Sequence, residues 1–289
     1  MTTRREWLLG AASLAWLGGA VQAARSAQDA LTAQLARIEG DSGGRLGVAV
    51  LDTGTGRQAA HRGNERFPMC STFKLLAAAA ILARVDAGKE RLDRRVVFNA
   101  GDLVTYSPAT EKHAGDGMAM AAICEAAVTL SDNTAGNLML EALGGPAGLT
   151  AWLRAIGDGV SRLDRNELSL NEALPGDPRD TTTPQAMVTS VHTILFGKAL
   201  GASSQERLTQ WLLASKTGGT RLRAGLPENW RSGDKTGSGA RGTTNDVAVI
   251  WPPNRKPLIV AAFLTGTSAP PEARDATLAS VGRAVAAAF

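Results

Sequence analysis

A serine and a lysine stand three positions apart where a long apolar run begins. Ser71 and Lys74 belong to the stretch MCSTFK, which leads directly into LLAAAAIL. If this run is helical, the two side chains share a face, and the lysine amine lies under the serine hydroxyl. A serine hydroxyl is a weak nucleophile at neutral pH and needs an adjacent base. The spacing therefore predicts a serine nucleophile, with Lys74 or a carboxylate as its base.

Lys74 can act as that base only while its amine is neutral. An ordinary lysine has a pKa of about 10.4, and lowering it to about 7 requires roughly 4–5 kcal/mol of preference for the neutral form. Burial and a second cation such as Lys235 favour the neutral amine, whereas a nearby carboxylate opposes it. The sequence alone does not decide whether Lys74 or a carboxylate is the base.

Each of the two short motifs occurs twice in the chain. Ser232 and Lys235 repeat the spacing, but residues 230–236 are predicted to be extended, so these two side chains point to opposite faces. Lys-Thr-Gly at 216–218 is predicted to end a helix at 205–215, with the lysine in its last turn. Lys-Thr-Gly at 235–237 leads toward a predicted strand at 246–251. We therefore select Ser71 with Lys74, and the second Lys-Thr-Gly.

Two further polar stretches stand beside helices or in a long loop. Ser131-Asp132-Asn133 precedes a predicted helix at 134–143, whose N-terminus it is suited to cap. Glu167 and Asn171 lie in about twenty-five residues without hydrophobic periodicity, and on one helical turn they face the same side. A loop of that length in a compact domain is usually functional or disordered, and its many potential ion pairs favour an ordered, functional loop.

The elements that must position these residues differ between the ends and the middle of the chain. Near the start, a helix at 28–39 precedes strands at 46–51 and 58–61, and near the end strands at 246–251 and 258–264 precede a helix with Leu278, Val281 and Val285 on one face. Residues 68–216 are helical almost throughout. This pattern predicts an α/β domain with an all-α insertion.

Composition limits the partners of the protein. The 289 residues are 44% apolar and carry a formal net charge of +4 without a basic run, which argues against nucleic-acid binding. Three histidines and two cysteines show no ligand spacing, so we expect no metal and no cofactor. Cys70 and Cys124 are expected to be free thiols.

Residues 1–23 have the pattern of an export signal. Arg4 and Arg5 precede a short apolar run that ends in Val21-Gln22-Ala23-Ala24, and its three glycines and its length argue against a membrane anchor. Removal of this segment takes away two arginines and Glu6, which changes the net charge from +4 to +3. We expect a periplasmic protein exported by the general or the twin-arginine route, with no membrane association after signal removal.

In this order along the chain, Ser71-x-x-Lys74, Ser131-Asp132-Asn133, Glu167 with Asn171, and Lys235-Thr236-Gly237 resemble the class A serine β-lactamases. The resemblance covers about residues 28–289 and extends to Tyr106-Ser107-Pro108. It implies an α+β fold in which an antiparallel sheet, built from both chain ends and flanked by helices, holds an inserted all-α domain. The implied domains are 24–67 with 217–289, and 68–216 including the Glu167 loop at about 162–180, with the active site between them.

The resemblance also implies chemical roles. Ser71 would attack the lactam carbonyl, and Lys74, or Glu167 through a water, would take its proton. Ser131, aided by Lys235, would pass a proton to the leaving nitrogen. Glu167 and Asn171 would hold the water that hydrolyses the acyl-enzyme.

Binding roles follow from the same resemblance. The N–H groups of Ser71 and Ser238 would form the oxyanion hole, and Asn133 would hold the amide of the substrate side chain. Tyr106 would line the cleft, and an ion pair of Arg165 with Asp180 would brace the loop. The substrate carboxylate would be bound by four residues on and beside the last motif: Arg221, Lys235, Thr236 and Ser238. Gly237 is a further expected substrate-binding residue. The expected partner is a small-molecule β-lactam, and the expected state is a monomer.

Some positions depart from the pattern of the family. Leu168 replaces a frequent proline after Glu167, and Gly239 replaces the cysteine that would pair with Cys70 in carbapenem-hydrolysing members. Carbapenem hydrolysis is therefore not indicated, and penicillins and cephalosporins are the expected substrates. The alternatives are a penicillin-binding D,D-peptidase and an inactive peptide-binding relative. Glu167 argues against the peptidase, because a base that activates water allows the acyl-enzyme to turn over.

Overall fold

The structure of the protein is a computed structural model that describes residues 29–289, so the predicted export signal at 1–23 lies outside the described part. Helix α1 covers 29–42. The later helices are α2 Phe73–Asp86, α3 Met120–Thr129, α4 Asn133–Leu143, α5 Gly145–Ala155, α6 Pro184–Leu195, α7 Ala202–Leu213 and α8 Pro271–Ala288. The strands are β1 Arg45–Asp52, β2 Gln58–His61, β3 Phe67–Pro68, β4 Arg95–Val96, β5 Met118–Ala119, β6 Thr181–Thr182, β7 Arg231–Ser238, β8 Thr244–Trp251 and β9 Leu258–Thr265.

Five strands from the two ends of the chain form one sheet in the order β2-β1-β9-β8-β7, and every neighbouring pair is antiparallel. β1 pairs with β9 across its full length, from Arg45 opposite Thr265 to Asp52 opposite Leu258. The predicted α+β architecture, with an antiparallel sheet drawn from both chain ends, is confirmed.

Successive side chains of the central strands point to opposite faces of the sheet, and because most of them are apolar, both faces are apolar. Val247, Val249 and Ile259 pack with the helices of the inserted region, in a core that includes α2, α3, α4 and α6. Ala248, Ile250 and Val260 point the other way and pack against α1 and α8. The sheet is therefore covered on both sides, and its β7 edge faces the inserted helices.

The inserted region is mostly helical, but it is bounded and braced by two short ladders that periodicity did not predict. Phe67–Pro68 pairs with Thr181–Thr182, and Arg95–Val96 pairs with Met118–Ala119. Two-residue strands are too short to produce a repeating pattern, which is why the sequence shows no sign of them. The domain limits at 67/68 and 216/217 stay a prediction.

The bounds predicted for one helix, 205–215, were wrong at both ends. Helix α7 begins at Ala202 and ends at Leu213, so Lys216-Thr217-Gly218 follows the helix instead of capping it. The Lys216 N–H donates to the Thr129 carbonyl at 2.9 Å, which carries this segment toward the β7 edge. Among residues 29–289, no helix is both long and apolar enough to span a bilayer.

Candidate active site

Ser71 lies in a tight turn that is clamped to the edge of the sheet. The 3-10 turn Cys70–Thr72 leads directly into α2. The Met69 carbonyl before the turn accepts bonds from Thr72 Oγ1 at 2.8 Å and from Asn245 Nδ2 at 3.1 Å. A Cβ atom added at Gly237 of β7 would lie only 2.8 Å from the same carbonyl. Glycine in Lys-Thr-Gly therefore lets the strand approach the serine turn closely.

Lys74 lies under the serine, as the helical spacing predicted. Its Nζ donates to Ser71 Oγ at 3.0 Å, to the Ser131 carbonyl at 2.9 Å and to Asn133 Oδ1 at 2.6 Å. The side chain is fully buried. A Cβ atom at Gly136 would lie 2.8 Å from Lys74 Cε, so a glycine inside α4 leaves room for the lysine stem at a local cost of about 1 kcal/mol in helix propensity.

Both candidate bases touch the serine hydroxyl. Glu167 Oε1 accepts a bond from Ser71 Oγ at 3.0 Å and forms an ion pair with Lys74 Nζ at 2.9 Å. Burial lowers the pKa of Lys74 below its ordinary value, and the negative charge of Glu167 works in the opposite direction. The geometry allows either group to accept the proton.

The Glu167 loop is ordered by contacts of its own and by α4. Arg165 Nε bonds Asp180 Oδ2 at 2.6 Å, which confirms the predicted ion pair. Asn171 Nδ2 donates to Glu167 Oε2, while Asn171 Oδ1 is buried and has no partner among the described residues. The Glu167–Leu168 peptide bond is cis.

Asn137 holds the backbone of Glu167. This residue was not predicted from the sequence. Its Oδ1 accepts from the Glu167 N–H at 2.9 Å, and its Nδ2 donates to the Glu167 carbonyl at 3.0 Å. The available signal was its place four residues after Asn133, on the same face of α4. Asn137 therefore sets the position of the carboxylate without touching the serine.

Replacing Asn137 with alanine removes both backbone bonds and is expected to lower kcat about 10- to 100-fold, because small displacements of a catalytic group have effects of that size. Hydrogen exchange at the Glu167 amide should become faster in the same variant. Asn64→Ala, at an exposed asparagine, is the matched control. Unchanged kcat and unchanged amide protection in Asn137→Ala would contradict this role.

Ser131 and Lys235 close the other side of the site. Lys235 Nζ donates to Ser131 Oγ at 3.0 Å and to the Thr236 carbonyl at 2.8 Å. Ser131 has a left-handed backbone with φ +61°, which presents its hydroxyl to Lys235 and its carbonyl to Lys74. Burial, and then the charge of Lys74, lower the pKa of Lys235 well below the ordinary lysine value. Asp132 caps α4 through the Ala135 N–H, as predicted for this stretch.

A cleft of about 340 Å³ opens above these groups. The structure brings all the predicted site residues to this cleft or directly behind it, with Lys74, Glu167 and Lys235 buried at its floor. The lining residues are Ser71, Tyr106, Ser131, Asn133, Asn171, Thr217, Arg221, Thr236, Gly237 and Ser238. Thr217 is the one that the sequence did not predict, because its Lys-Thr-Gly was read as a helix cap. Its Oγ1 lies 2.6 Å from Thr236 Oγ1.

Arg221 is held tightly beside the cleft. Its guanidinium donates to Asp275 at 2.9 Å, to the carbonyls of Gly237 and Asn245 at 2.9 and 2.8 Å, and to Ser238 Oγ at 2.8 Å. Most of its N–H groups are therefore used within the protein. Arg221 orients the Ser238 hydroxyl and adds positive charge to this end of the cleft.

Cys70 fills the space behind the serine turn. A Cβ atom at Gly239 would lie 2.7 Å from Cys70 Sγ and 2.8 Å from the Asn171 carbonyl. Cys70 and Cys124 are both buried and free, as predicted.

Comparisons with known proteins agree with this fold and cleft. The sequence model of the β-lactamase enzyme family matches residues 30–289. Beta-lactamase AST-1 of Nocardia asteroides is 50% identical over 252 residues, which are 87% of this chain and 81% of that protein. Beta-lactamase CTX-M-8 of Citrobacter amalonaticus is 45% identical over 282 residues, covering 98% and 97%. An ancestral class A β-lactamase of known structure is 66% identical, with a TM-score of 0.89 and coverage of 90% and 100%.

The matched fold and sequence define a hydrolase that uses serine and acts on a cyclic amide. The chain belongs to the β-lactamase enzyme family, within class A.

Proposed function

We propose that this enzyme hydrolyses the β-lactam amide bond of penicillins and cephalosporins through an acyl-enzyme on Ser71, which a water activated by Glu167 then releases. One observation carries the proposal. Ser71 Oγ lies 3.0 Å from both Lys74 Nζ and Glu167 Oε1, and these two are 2.9 Å apart. A hydroxyl in contact with two possible bases is the arrangement that nucleophilic catalysis requires.

In acylation, Ser71 Oγ bonds to the lactam carbonyl carbon while its proton passes to Lys74 or Glu167. The N–H groups of Ser71 and Ser238 stabilise the negative charge that develops on the carbonyl oxygen. The C–N bond of the ring then breaks, and the nitrogen takes a proton from the Ser131 hydroxyl. Support for that transfer comes from Lys235 Nζ, which lies 3.0 Å from Ser131 Oγ and can return a proton to the hydroxyl, while Lys74 holds the Ser131 carbonyl.

Substrate binding rests on both ends of the cleft. Lys235 and Arg221 supply positive charge for the substrate carboxylate, and the hydroxyls of Thr236 and Ser238 supply hydrogen bonds. Asn133 is assigned to the amide of the substrate side chain, although its Oδ1 already accepts from Lys74 and its Nδ2 donates to the Thr105 carbonyl at 2.8 Å. Tyr106, which is 58% exposed, forms the outer wall.

In deacylation, a water held between Glu167 and Asn171 loses a proton to the carboxylate and attacks the ester carbonyl. The unpartnered Oδ1 of Asn171 supports this assignment, because a buried acceptor needs a donor. The carboxylate that a penicillin-binding peptidase lacks is thus in contact with the nucleophile.

The proposal is tested by steady-state kinetics with a penicillin, an oxyimino-cephalosporin and a carbapenem, together with assays on a peptide ending in D-Ala-D-Ala. We expect turnover of the first two and no peptide cleavage. Peptide cleavage with a long-lived penicillin adduct would replace the proposal by the D,D-peptidase. We further propose export to the periplasm by the general or twin-arginine route and a monomeric state, which fractionation and light scattering would test.

A pH dependence follows from the position of Lys235. Its ammonium form is the one that binds a carboxylate, and that form is lost as the pH rises through its lowered pKa. For an anionic β-lactam, kcat/KM should therefore fall about tenfold per pH unit on the alkaline side, through KM, starting well below the ordinary lysine value of 10.5.

Lys235→Arg provides the matched comparison. A guanidinium has a much higher pKa than an amine and stays charged at alkaline pH, so the alkaline fall should move to higher pH even if the absolute rate is lower. Superimposable profiles for the two proteins would show that Lys235 does not cause the alkaline fall.

A further inference from the structure

Two buried carboxyl groups lie behind the active-site strand and take no part in the chemistry proposed above. Asp234 and Asp246 are 1% and 0% exposed. In the β7–β8 ladder, Asp234 is opposite Ala248 and Asp246 is opposite Thr236. The two acids are therefore diagonal neighbours on the sheet face that packs against α1 and α8, close enough for the charge of Asp234 to act on Asp246.

Each carboxyl group has one oxygen with a partner and one without. Asp234 Oδ2 accepts from Arg223 at 2.6 and 3.1 Å, and Asp246 Oδ2 accepts from the Leu222 N–H at 3.2 Å. The Oδ1 atoms of both residues are buried without a hydrogen-bond partner among the described residues. Two adjacent ionised carboxylates with unsatisfied buried oxygens would be strongly unfavourable. A single proton between the two Oδ1 atoms would satisfy both.

We propose that Asp246 is protonated in the folded enzyme and donates this proton from its Oδ1 to Asp234 Oδ1, so that the pair carries one negative charge and fixes the segment Arg221–Arg223 to the sheet. The charge assignment follows from the partners. The charge is assigned to Asp234 because it faces the Arg223 guanidinium, and the proton to Asp246 because its one donor among residues 29–289 is the neutral N–H of Leu222.

The charged groups around the pair agree with this assignment. Burial, followed by the charge of Asp234, raises the pKa of Asp246 well above its usual range, and the nearby Arg221 and Arg223 act in the opposite direction. Lys235 belongs to the same strand but points to the other face of the sheet, toward Ser131. Helix α8 contributes Asp275, which is held by Arg221.

The pair reaches the active site through the segment that it holds. Asp246 binds the backbone of Leu222, and Asp234 binds the side chain of Arg223. The position of Arg221 is therefore fixed through the two residues that follow it. Arg221 in turn orients Ser238 and Gly237. Asp234 and Asp246 are therefore positioning residues, and this part of the inference rests on the substrate-binding role proposed for Arg221.

Infrared difference spectroscopy on the whole enzyme tests the shared proton without any assay of activity. At pH 7 the wild type should show the carbonyl stretch of a buried protonated carboxyl group, and Asp246→Asn should lack it. Asp158→Asn is the matched control, because Asp158 is buried but its carboxyl group accepts three hydrogen bonds at 2.8 Å, so the band should persist in that variant. If Asp246→Asn does not fold, Asp234→Asn serves instead, since it replaces the acceptor of the shared proton and the band of Asp246 should shift.

Stability and kinetics supply the second readout. A carboxyl group whose pKa is raised by folding loses stability as the pH increases, from its unfolded pKa up to its folded one. The Tm of the wild type relative to Asp246→Asn should therefore fall with pH above about 4, by roughly 3 °C or more per unit. The alkaline rise in KM should be smaller in Asp246→Asn than in the wild type, with kcat little affected.

A band that is absent from the wild type, that persists in Asp246→Asn, or that does not shift in Asp234→Asn would overturn the shared proton. So would parallel Tm profiles for the wild type and Asp246→Asn. A band lost as expected, but with identical pH dependence of KM in the two proteins, would overturn the link to Arg221. These outcomes do not depend on the role of Ser71, so failure of the proposed reaction and failure of this inference are distinguishable.

Discussion

Ser71→Ala is expected to reduce turnover of a chromogenic cephalosporin by a factor on the order of 10⁶, as loss of a serine nucleophile does in subtilisin. That factor corresponds to about 8 kcal/mol of activation free energy. The physical reason is that, within residues 29–289, Ser71 is the one hydroxyl shown in contact with both a lysine and a carboxylate: Ser131 is next to Lys235 but does not contact Glu167. Stopped-flow and steady-state assays would measure the loss.

Ser232→Ala is the control for this prediction, because Ser232 has the same spacing to a lysine in the sequence. Ser232 lies on the opposite face of β7 from Lys235, and its buried hydroxyl has no partner among the described residues. Its removal should leave kcat/KM within about twofold. Retained turnover in Ser71→Ala, or a large loss only in Ser232→Ala, would place the nucleophile elsewhere.

Glu167→Ala is expected to form the acyl-enzyme and then release it about 10²–10⁴ times more slowly, which is the usual contribution of a general base. This range is equivalent to about 3–5 kcal/mol. In the unmodified protein Lys74 Nζ lies 3.0 Å from Ser71 Oγ, so acylation in the variant should keep a base while deacylation has lost its own. Intact-mass spectrometry after mixing with a penicillin should show the enzyme with one covalent substrate attached.

The control is Glu172→Ala in the same loop. Glu172 pairs with Arg165 at 2.6 Å on the surface, and its side chain is 48% exposed, so its loss should cost at most about 1 kcal/mol of stability and trap no adduct. If Glu167→Ala neither acylates nor accumulates an adduct, the carboxylate is needed for acylation. That result would identify Glu167 as the base in acylation, a role that the geometry allows for both Glu167 and Lys74.

The sequence by itself determined the features that depend on neighbours a few residues apart. Helical spacing placed Lys74 under Ser71, strand spacing separated Ser232 from Lys235, and the Ser131-Asp132-Asn133 stretch did cap α4. Alternating and helical periods at the two chain ends predicted the layers of the fold. Such features are set by local backbone geometry, which repeats with a fixed period and is visible in the residue pattern.

Only the tertiary structure decided which distant side chains meet. Ser71 and Glu167 are 96 positions apart, and Ser131 and Lys235 are 104 apart. The resemblance to a family suggested that grouping, but residue types and spacing alone did not. Asn137 was marked only by its place four residues after Asn133, and Thr217 and the pair of Asp234 with Asp246 had no signal beyond ordinary polar residues. Their positions depend on strand register and loop path, which are fixed by the packing of the whole chain and not by any local period.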